Sequence, residues 1–153
     1  MKIAYFSPLL PDPSGISDFS EELLIELKKY VEIDLFARIK PSSEHIEKNF
    51  ICHKVSDIYD DSIRSQYDLL VFQAGNNVRF HKEIMDAFMK YSGVLEIHDF
   101  AMHHFLAEDT YARGNYSEYV RIMAYCHGKV GRKTDEDFLN GKINAPWENQ
   151  SQR

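Results

Sequence analysis

The densest group of titratable side chains in the sequence is His98-Asp-Phe-Ala-Met-His-His104, which follows the apolar run Val94–Ile97. An imidazole at the end of a strand can donate a hydrogen bond to a ligand hydroxyl or stabilise a charge that forms during a reaction. We therefore take His98 as a candidate catalytic residue and Asp99 as a candidate binding residue.

The same segment also raises the question of a metal site, because histidines and an aspartate can ligate zinc. His103 and His104 are neighbours on a predicted helix, so their side chains point about 100° apart. A structural role for these two residues is the favoured interpretation. We predict no metal and no cofactor.

A second candidate segment is the loop that follows the apolar run Lys2–Phe6. It contains three prolines, which stiffen the chain, and one glycine. Glycine at position 15 permits a positive φ and lets a ligand approach the backbone closely, and Ser17 or Asp18 can cap the next helix. The alternative is a rigid connection without a ligand. The candidate binding residues here are Ser14, Gly15, Ile16 and Ser17.

A third polar segment, Ala74-Gly-Asn-Asn77, follows the apolar run of Tyr67–Gln73. Gly75, Asn76 and Asn77 tolerate unusual backbone angles, as a tight loop requires. The carboxyl ends of parallel strands meet at one edge of a sheet, so the three segments should converge. Together they suit a hydroxylated ligand that also carries a phosphate or a carbonyl.

The elements that position these loops follow from the apolar patterns. Strands are predicted at 2–6, 31–36, 49–55, 67–73 and 94–98, with a polar link after Pro41. Helices are predicted at 20–28, at 57–65, at 80–91, at 100–111 and at 116–127. This order predicts a Rossmann-like, doubly wound parallel sheet of four or five strands with a helical C-terminal segment. We expect one domain over residues 1–139 and a polar tail over 140–153.

Composition narrows the class of protein. The 153 residues are 44% hydrophobic and 27% charged, which is typical of a globular protein, and the net charge is −6. A negative chain is a poor partner for nucleic acid or for an anionic membrane surface. Cys52 and Cys126 have no metal-type spacing, so we expect free thiols and a cytoplasmic location. No membrane span is predicted.

The three segments together resemble the N-terminal domain of the family 4 retaining glycosyltransferases, which have the two-domain GT-B architecture. The resemblance rests on the segment from Lys2 through Leu24, on Phe72-Gln-Ala-Gly-Asn-Asn77 with Phe80 and His81, and on His98-Asp-Phe with His103-His104-Phe105. It covers residues 2 to about 105.

The resemblance implies that this chain is one half of a GT-B fold. By resemblance, Ser14 and Gly15 lie near the phosphates of a nucleotide diphosphate sugar, and His98 lies beside the transferred sugar. Asn76, Asn77 and His81 would line the side of a glycan or lipid-linked acceptor.

The sequence departs from that family in one respect. Members bind the donor in a second domain that carries an E-x7-E pair of glutamates, and no two glutamates here are eight positions apart. We therefore expect the donor half to be absent and the chain to be inactive alone.

Two alternatives to the glycosyltransferase hypothesis remain open. One is a non-catalytic binding or interaction module, and the weaker one is a small metal-dependent hydrolase built on His98, Asp99, His103 and His104. We also expect self-association or a separate donor-domain chain as partner, through late aromatic residues that include Phe100, Tyr125 and Trp147.

Overall fold

The structure is a computed structural model, and it describes residues 1–143. The chain packs into two compact units, which divide after Phe100. The predicted tail over 140–153, with Trp147, lies largely outside the described residues, and the prediction of one domain over 1–139 stays a prediction.

The first unit contains five strands joined by helices and short turns. The strands are β1 (Lys2–Phe6), β2 (Glu32–Ala37), β3 (Ile51–Lys54), β4 (Leu69–Ala74) and β5 (Val94–Ile97). The helices are α1 (Gly15–Leu27), α2 (Glu44–Asn49), α3 (Asp61–Arg64) and α4 (Val78–Tyr91), and a 3-10 turn spans Val55–Tyr59.

All five strands pair in parallel, in the order β3-β2-β1-β4-β5. The chain starts in the middle of the sheet, builds outward through β2 and β3, and then crosses back to place β4 on the other side of β1. This is the order of a Rossmann-like sheet. The predicted α/β class and parallel sheet are confirmed.

An aromatic row crosses the sheet close to the carboxyl ends of its strands. Phe36, Phe6 and Phe72 are directly paired on β2, β1 and β4. The ring of Phe6 stacks on Phe36 with 4.7 Å between centroids and on Phe72 with 4.5 Å. His53 on β3 stacks on the outer side of Phe36 at 4.9 Å. Because the rings stack only in register, the row favours one alignment of the central strands.

Helices cover both faces of the sheet. On the face that carries the aromatic row, Ile84 and Ala87 of α4 and Ile58 of the 3-10 turn are fully buried. On the other face, Leu24 of α1 and Ile46 of α2 pack against the strands. The first unit is therefore doubly wound.

Two local predictions fail in this unit. The polar link after Pro41 contains the helix α2, which buries only Ile46 and so shows no helical stripe of apolar residues. The predicted helix over 57–65 is instead the 3-10 turn followed by the four-residue helix α3.

The second unit is helical. It consists of α5 (His103–Asp109), a 3-10 turn (Tyr111–Arg113) and α6 (Tyr116–Leu139), and non-helical angles at Gly128 interrupt α6. The hydroxyl of the fully buried Tyr119 lies 3.2 Å from Nε2 of His103. A structural role for His103 is thus supported. Helix α5 begins three residues later than predicted, and α6 extends beyond the predicted end at His127.

Within residues 1–143, no helix combines the length and the apolar character needed to cross a membrane.

The aromatic row gives a test of the core. Phe6→Ala should lower the free energy of unfolding by about 3–5 kcal/mol, because it removes the central ring of the stack and leaves a cavity. Phe100→Ala is the matched control, since Phe100 is 97% exposed, and it should change stability by less than about 0.5 kcal/mol. Urea unfolding measures both, and equal losses would contradict the role given to the row.

Candidate functional site

A cleft opens where the loops after β1, β4 and β5 meet, at the point where the strand order reverses. Its volume is about 540 Å³. Open α/β sheets bind ligands at such a point. Eight of the nine predicted site residues line it, together with Pro13 and Phe80; the eight are Ser14, Gly15, Ile16, Asn76, Asn77, His81, His98 and Asp99. Their roles in binding or catalysis stay predictions.

The loop after β1 is held by buried polar contacts. The carboxylate of Asp12 is 3% exposed and accepts a hydrogen bond from the guanidinium of Arg38. The main-chain oxygen of Asp12 accepts a hydrogen bond from the hydroxyl of Ser17 at 3.0 Å. These contacts hold the loop against the start of α1, which is the edge of the cleft.

The structure corrects the cap of α1. The side chain of Ser14 accepts a hydrogen bond from the main-chain N–H of Ile16 at 3.2 Å, so Ser14 is the N-cap. The predicted caps, Ser17 and Asp18, lie inside the helix. Ser17 is fully buried and is not among the residues that line the cleft, because its hydroxyl serves the loop instead.

Gly15 does not use the positive φ that a glycine permits. Gly15 is the first residue of α1 and is not one of the glycines with a positive φ. A Cβ added at this position would meet no non-adjacent heavy atom of the described residues within 4 Å. The glycine is therefore not required by the turn, and it leaves open space beside the N-terminus of α1.

Among the glycines of the cleft, Gly75 is the one at which an added side chain would crowd its neighbours. A Cβ at Gly75 would lie 2.7 Å from Cδ1 of Ile16, 2.9 Å from Nε2 of His81 and 3.0 Å from Oδ2 of Asp99. These three residues belong to different elements. The missing side chain thus allows the loops after β1, β4 and β5 to approach one another.

The two asparagines of the β4 loop have contacts that shape it. The main-chain N–H of Asn76 donates to Oδ2 of Asp99 at 2.6 Å, which joins the β4 loop to the β5 loop. The side chain of Asn77 accepts a hydrogen bond from the N–H of Arg79 at 3.0 Å and caps α4.

His98 is exposed and lines the cleft, and its side chain contacts Gln73 of the neighbouring strand β4. Its Nε2 lies 2.6 Å from Oε1 of Gln73, and Nε2 of Gln73 donates to the carboxylate of Glu96 at 3.0 Å. The ring of Phe19 on α1 meets the imidazole edge-on, with 4.9 Å between centroids.

His81 is the buried histidine of the cleft wall. It is 1% exposed, and its Nδ1 has no hydrogen-bond partner among the described residues. Burial lowers the pKa of His81, so the side chain is neutral at neutral pH.

The charge of the cleft is limited. Among the residues that line it within the described part of the chain, Asp99 carries a carboxylate and none is a lysine or an arginine. Residues 1–143 contain no group of three or more His, Cys, Asp or Glu side chains placed to hold a metal ion. The reading as a metal-dependent hydrolase therefore gains no support from the geometry.

Several residues of the site were not predicted. Pro13 and Phe80 line the cleft, while Gln73 and Phe19 hold His98. The sequence offers one signal for Gln73: it is a polar residue in an otherwise apolar strand. A buried amide needs hydrogen-bond partners, which indicates a contact with another polar side chain.

Comparison with protein-family models, with curated proteins and with solved structures finds no match to this chain.

The two glycines make a matched pair. Gly75→Ala should lower the free energy of unfolding by about 1–3 kcal/mol, because its Cβ overpacks three neighbours. Gly15→Ala should change stability by less than about 0.5 kcal/mol, because its Cβ enters open space. Denaturant unfolding of both variants is the measurement. A larger loss for Gly15→Ala than for Gly75→Ala would contradict the packing described for the loops.

The buried His81 predicts a pH dependence of stability. Its pKa is lowered in the folded state, so below about pH 6.5 the unfolded chain takes up a proton that the folded chain excludes. The free energy of unfolding should therefore fall as the pH drops through this range. His81→Gln should flatten the fall, and His45→Gln, at an exposed position of α2, should leave it unchanged. An unaltered slope in His81→Gln would exclude His81 as the source.

Proposed function

We propose that this chain is the acceptor-side half of a glycosyltransferase of the family 4 retaining type. In this proposal the complete enzyme transfers a sugar from a nucleotide diphosphate sugar to a glycan or lipid-linked acceptor. The observation that carries the proposal is the meeting of His98, Asp99 and the N-terminus of α1 on one cleft at the strand-order reversal. These are the segments on which the family resemblance rests.

The chemistry of the cleft fits a phosphorylated sugar. The N-terminus of α1 offers main-chain N–H groups to an anion, and the open space at Gly15 lets the anion approach them. His98 and Asp99, in the loop after β5, line the same cleft. Their imidazole and carboxylate can form hydrogen bonds with the hydroxyl groups of a sugar. Asn76, Asn77 and His81 are further polar side chains that line the cleft.

The described lining of the cleft has no cationic side chain to stabilise the departing diphosphate. Loss of the diphosphate develops negative charge, and a transferase must stabilise it more strongly in the transition state than in the ground state. No lysine or arginine of the described residues lines the cleft. In the proposal, the cationic groups come from a second domain or a separate chain that closes the other wall.

A described cleft lining without lysine or arginine also suits a second candidate function, a non-catalytic module that binds a sugar phosphate in the same cleft. The two candidates differ in whether a donor-binding partner exists. Self-association, a donor-domain partner and a cytoplasmic location stay predictions. Of the late aromatic residues expected at a self-association contact, Phe100 is exposed in the first unit and Tyr125 in the second. Val94 and Ile97 of the edge strand β5 are half-exposed.

The test measures binding and turnover separately. We expect the purified chain to bind the sugar-phosphate part of a nucleoside diphosphate sugar weakly, because the described lining of the cleft meets the phosphates and the sugar and not the nucleotide. We expect it to transfer no sugar, because no lysine or arginine of the described residues lines the cleft. His98→Ala should weaken binding about 2- to 12-fold, the scale of one lost hydrogen bond. His45→Ala is the matched control and should bind as the wild type does.

Three results would contradict the proposal, and the first is that no nucleoside diphosphate sugar of the panel binds. Sugar transfer by the chain alone would show that no second wall is needed. Equal affinity of the wild type and His98→Ala for every ligand that binds would place the ligand elsewhere. Calorimetric titration and a coupled assay for released nucleoside diphosphate give the two readouts.

A further inference from the structure

We propose that Gln73 is a positioning residue that, oriented by Glu96, fixes which nitrogen of His98 carries the proton. The chain of contacts runs from the Glu96 carboxylate through the Gln73 amide to the His98 imidazole. With Nε2 of His98 protonated and bound to Gln73, Nδ1 is the ring nitrogen available to a ligand in the cleft, and it acts as a hydrogen-bond acceptor.

The sheet itself sets up this chain of contacts. Gln73 on β4 and Glu96 on β5 are directly paired in the parallel ladder. Side chains two residues apart on a strand share a face, so His98 follows Glu96 on the same side of the sheet. The amide of Gln73, which is 1% exposed, lies between them.

The direction of each hydrogen bond follows from what each group can donate. A carboxylate only accepts, so the amide group of Gln73 that faces Glu96, 3.0 Å away, must be its NH₂. The amide oxygen then faces His98, with 2.6 Å between Oε1 and Nε2. An amide oxygen also only accepts, so Nε2 of His98 must carry the proton. In the neutral ring, Nδ1 therefore keeps its lone pair.

Two further contacts restrain the ring. The main-chain N–H of His98 donates to the carbonyl of Ala74 at 2.9 Å, which extends the parallel ladder by one residue. Phe19 meets the imidazole at an interplanar angle of 72°. The backbone of His98 is thus restrained by Ala74, its ring by Phe19 and its Nε2 by Gln73.

This arrangement selects the chemistry of the ligand group beside His98. A hydroxyl or an N–H of the ligand can donate to Nδ1, whereas a carbonyl or phosphate oxygen finds no donor on the neutral ring. That this group is a sugar hydroxyl rests on the proposed function. The proton position does not, because it is a property of the unliganded chain.

The experiment reads the proton position directly. Long-range ¹H–¹⁵N spectra of the histidine-labelled full chain, at about pH 8 and so above the ordinary histidine pKa of about 6.5, distinguish the two neutral forms. In the wild type we expect the Nε2–H form of His98 to exceed the Nδ1–H form by about tenfold, the scale of one well-oriented hydrogen bond. We also expect slow exchange of the Nε2–H proton with water.

Glu96→Lys inverts the chain of contacts. A lysine only donates, so it should attract the Gln73 oxygen, turn the amide and present the NH₂ group to His98. The ratio of the two forms should then reverse in favour of Nδ1–H. Glu22→Lys, an equal charge change at an exposed position of α1, is the matched control and should leave the ratio as in the wild type.

Gln73→Met gives an independent readout, because it keeps the length of the side chain and removes the acceptor. The Nε2–H proton should lose its protection from exchange. A wild-type ring in the Nδ1–H form, or an unchanged ratio in a folded Glu96→Lys chain, would overturn the proposal. Failure to bind any nucleoside diphosphate sugar would overturn the proposed function and leave the proton position intact.

Discussion

The in-register stack of Phe36, Phe6 and Phe72 is the interaction on which the rest of this structure depends. It lies at the carboxyl end of β1, one residue from that of β2 and two from that of β4, and it aligns the central strands. A slip of one residue would move every side chain to the opposite face. Because the strands are aligned, β1, β4 and β5 end at the same edge, and their loops enclose one cleft.

Polar contacts hold the loops of this cleft in place. Asp12 with Arg38 shapes the loop after β1, and Asp99 with the main chain of Asn76 joins the other two loops. Gly75 removes the side chain that would keep the loops apart. A binding group on such loops is positioned before a ligand arrives, which reduces the entropy lost on binding.

Much of the fold could be predicted from the sequence because its strands are short apolar runs bounded by turn residues. Helix α2 could not, since it buries a single residue, Ile46, and shows no periodic stripe. The cap of α1 was misassigned because Ser14, Ser17 and Asp18 are all good caps, and only the path of the loop decides among them. The role of Gln73 depends on a pairing with Glu96, 23 positions away, which no local pattern reveals.

The central claim is that a phosphorylated sugar binds where the strand order reverses. Backbone amide shifts of the ¹⁵N-labelled chain, followed during titration with nucleoside diphosphate sugars, test it most directly. We expect saturable changes in the amide chemical shifts of residues 14–16, 75–77 and 98–99, and no change in those of β3 and α2. Saturable shifts confined to residues outside these three loops, or no saturable shift with any member of the panel, would contradict it.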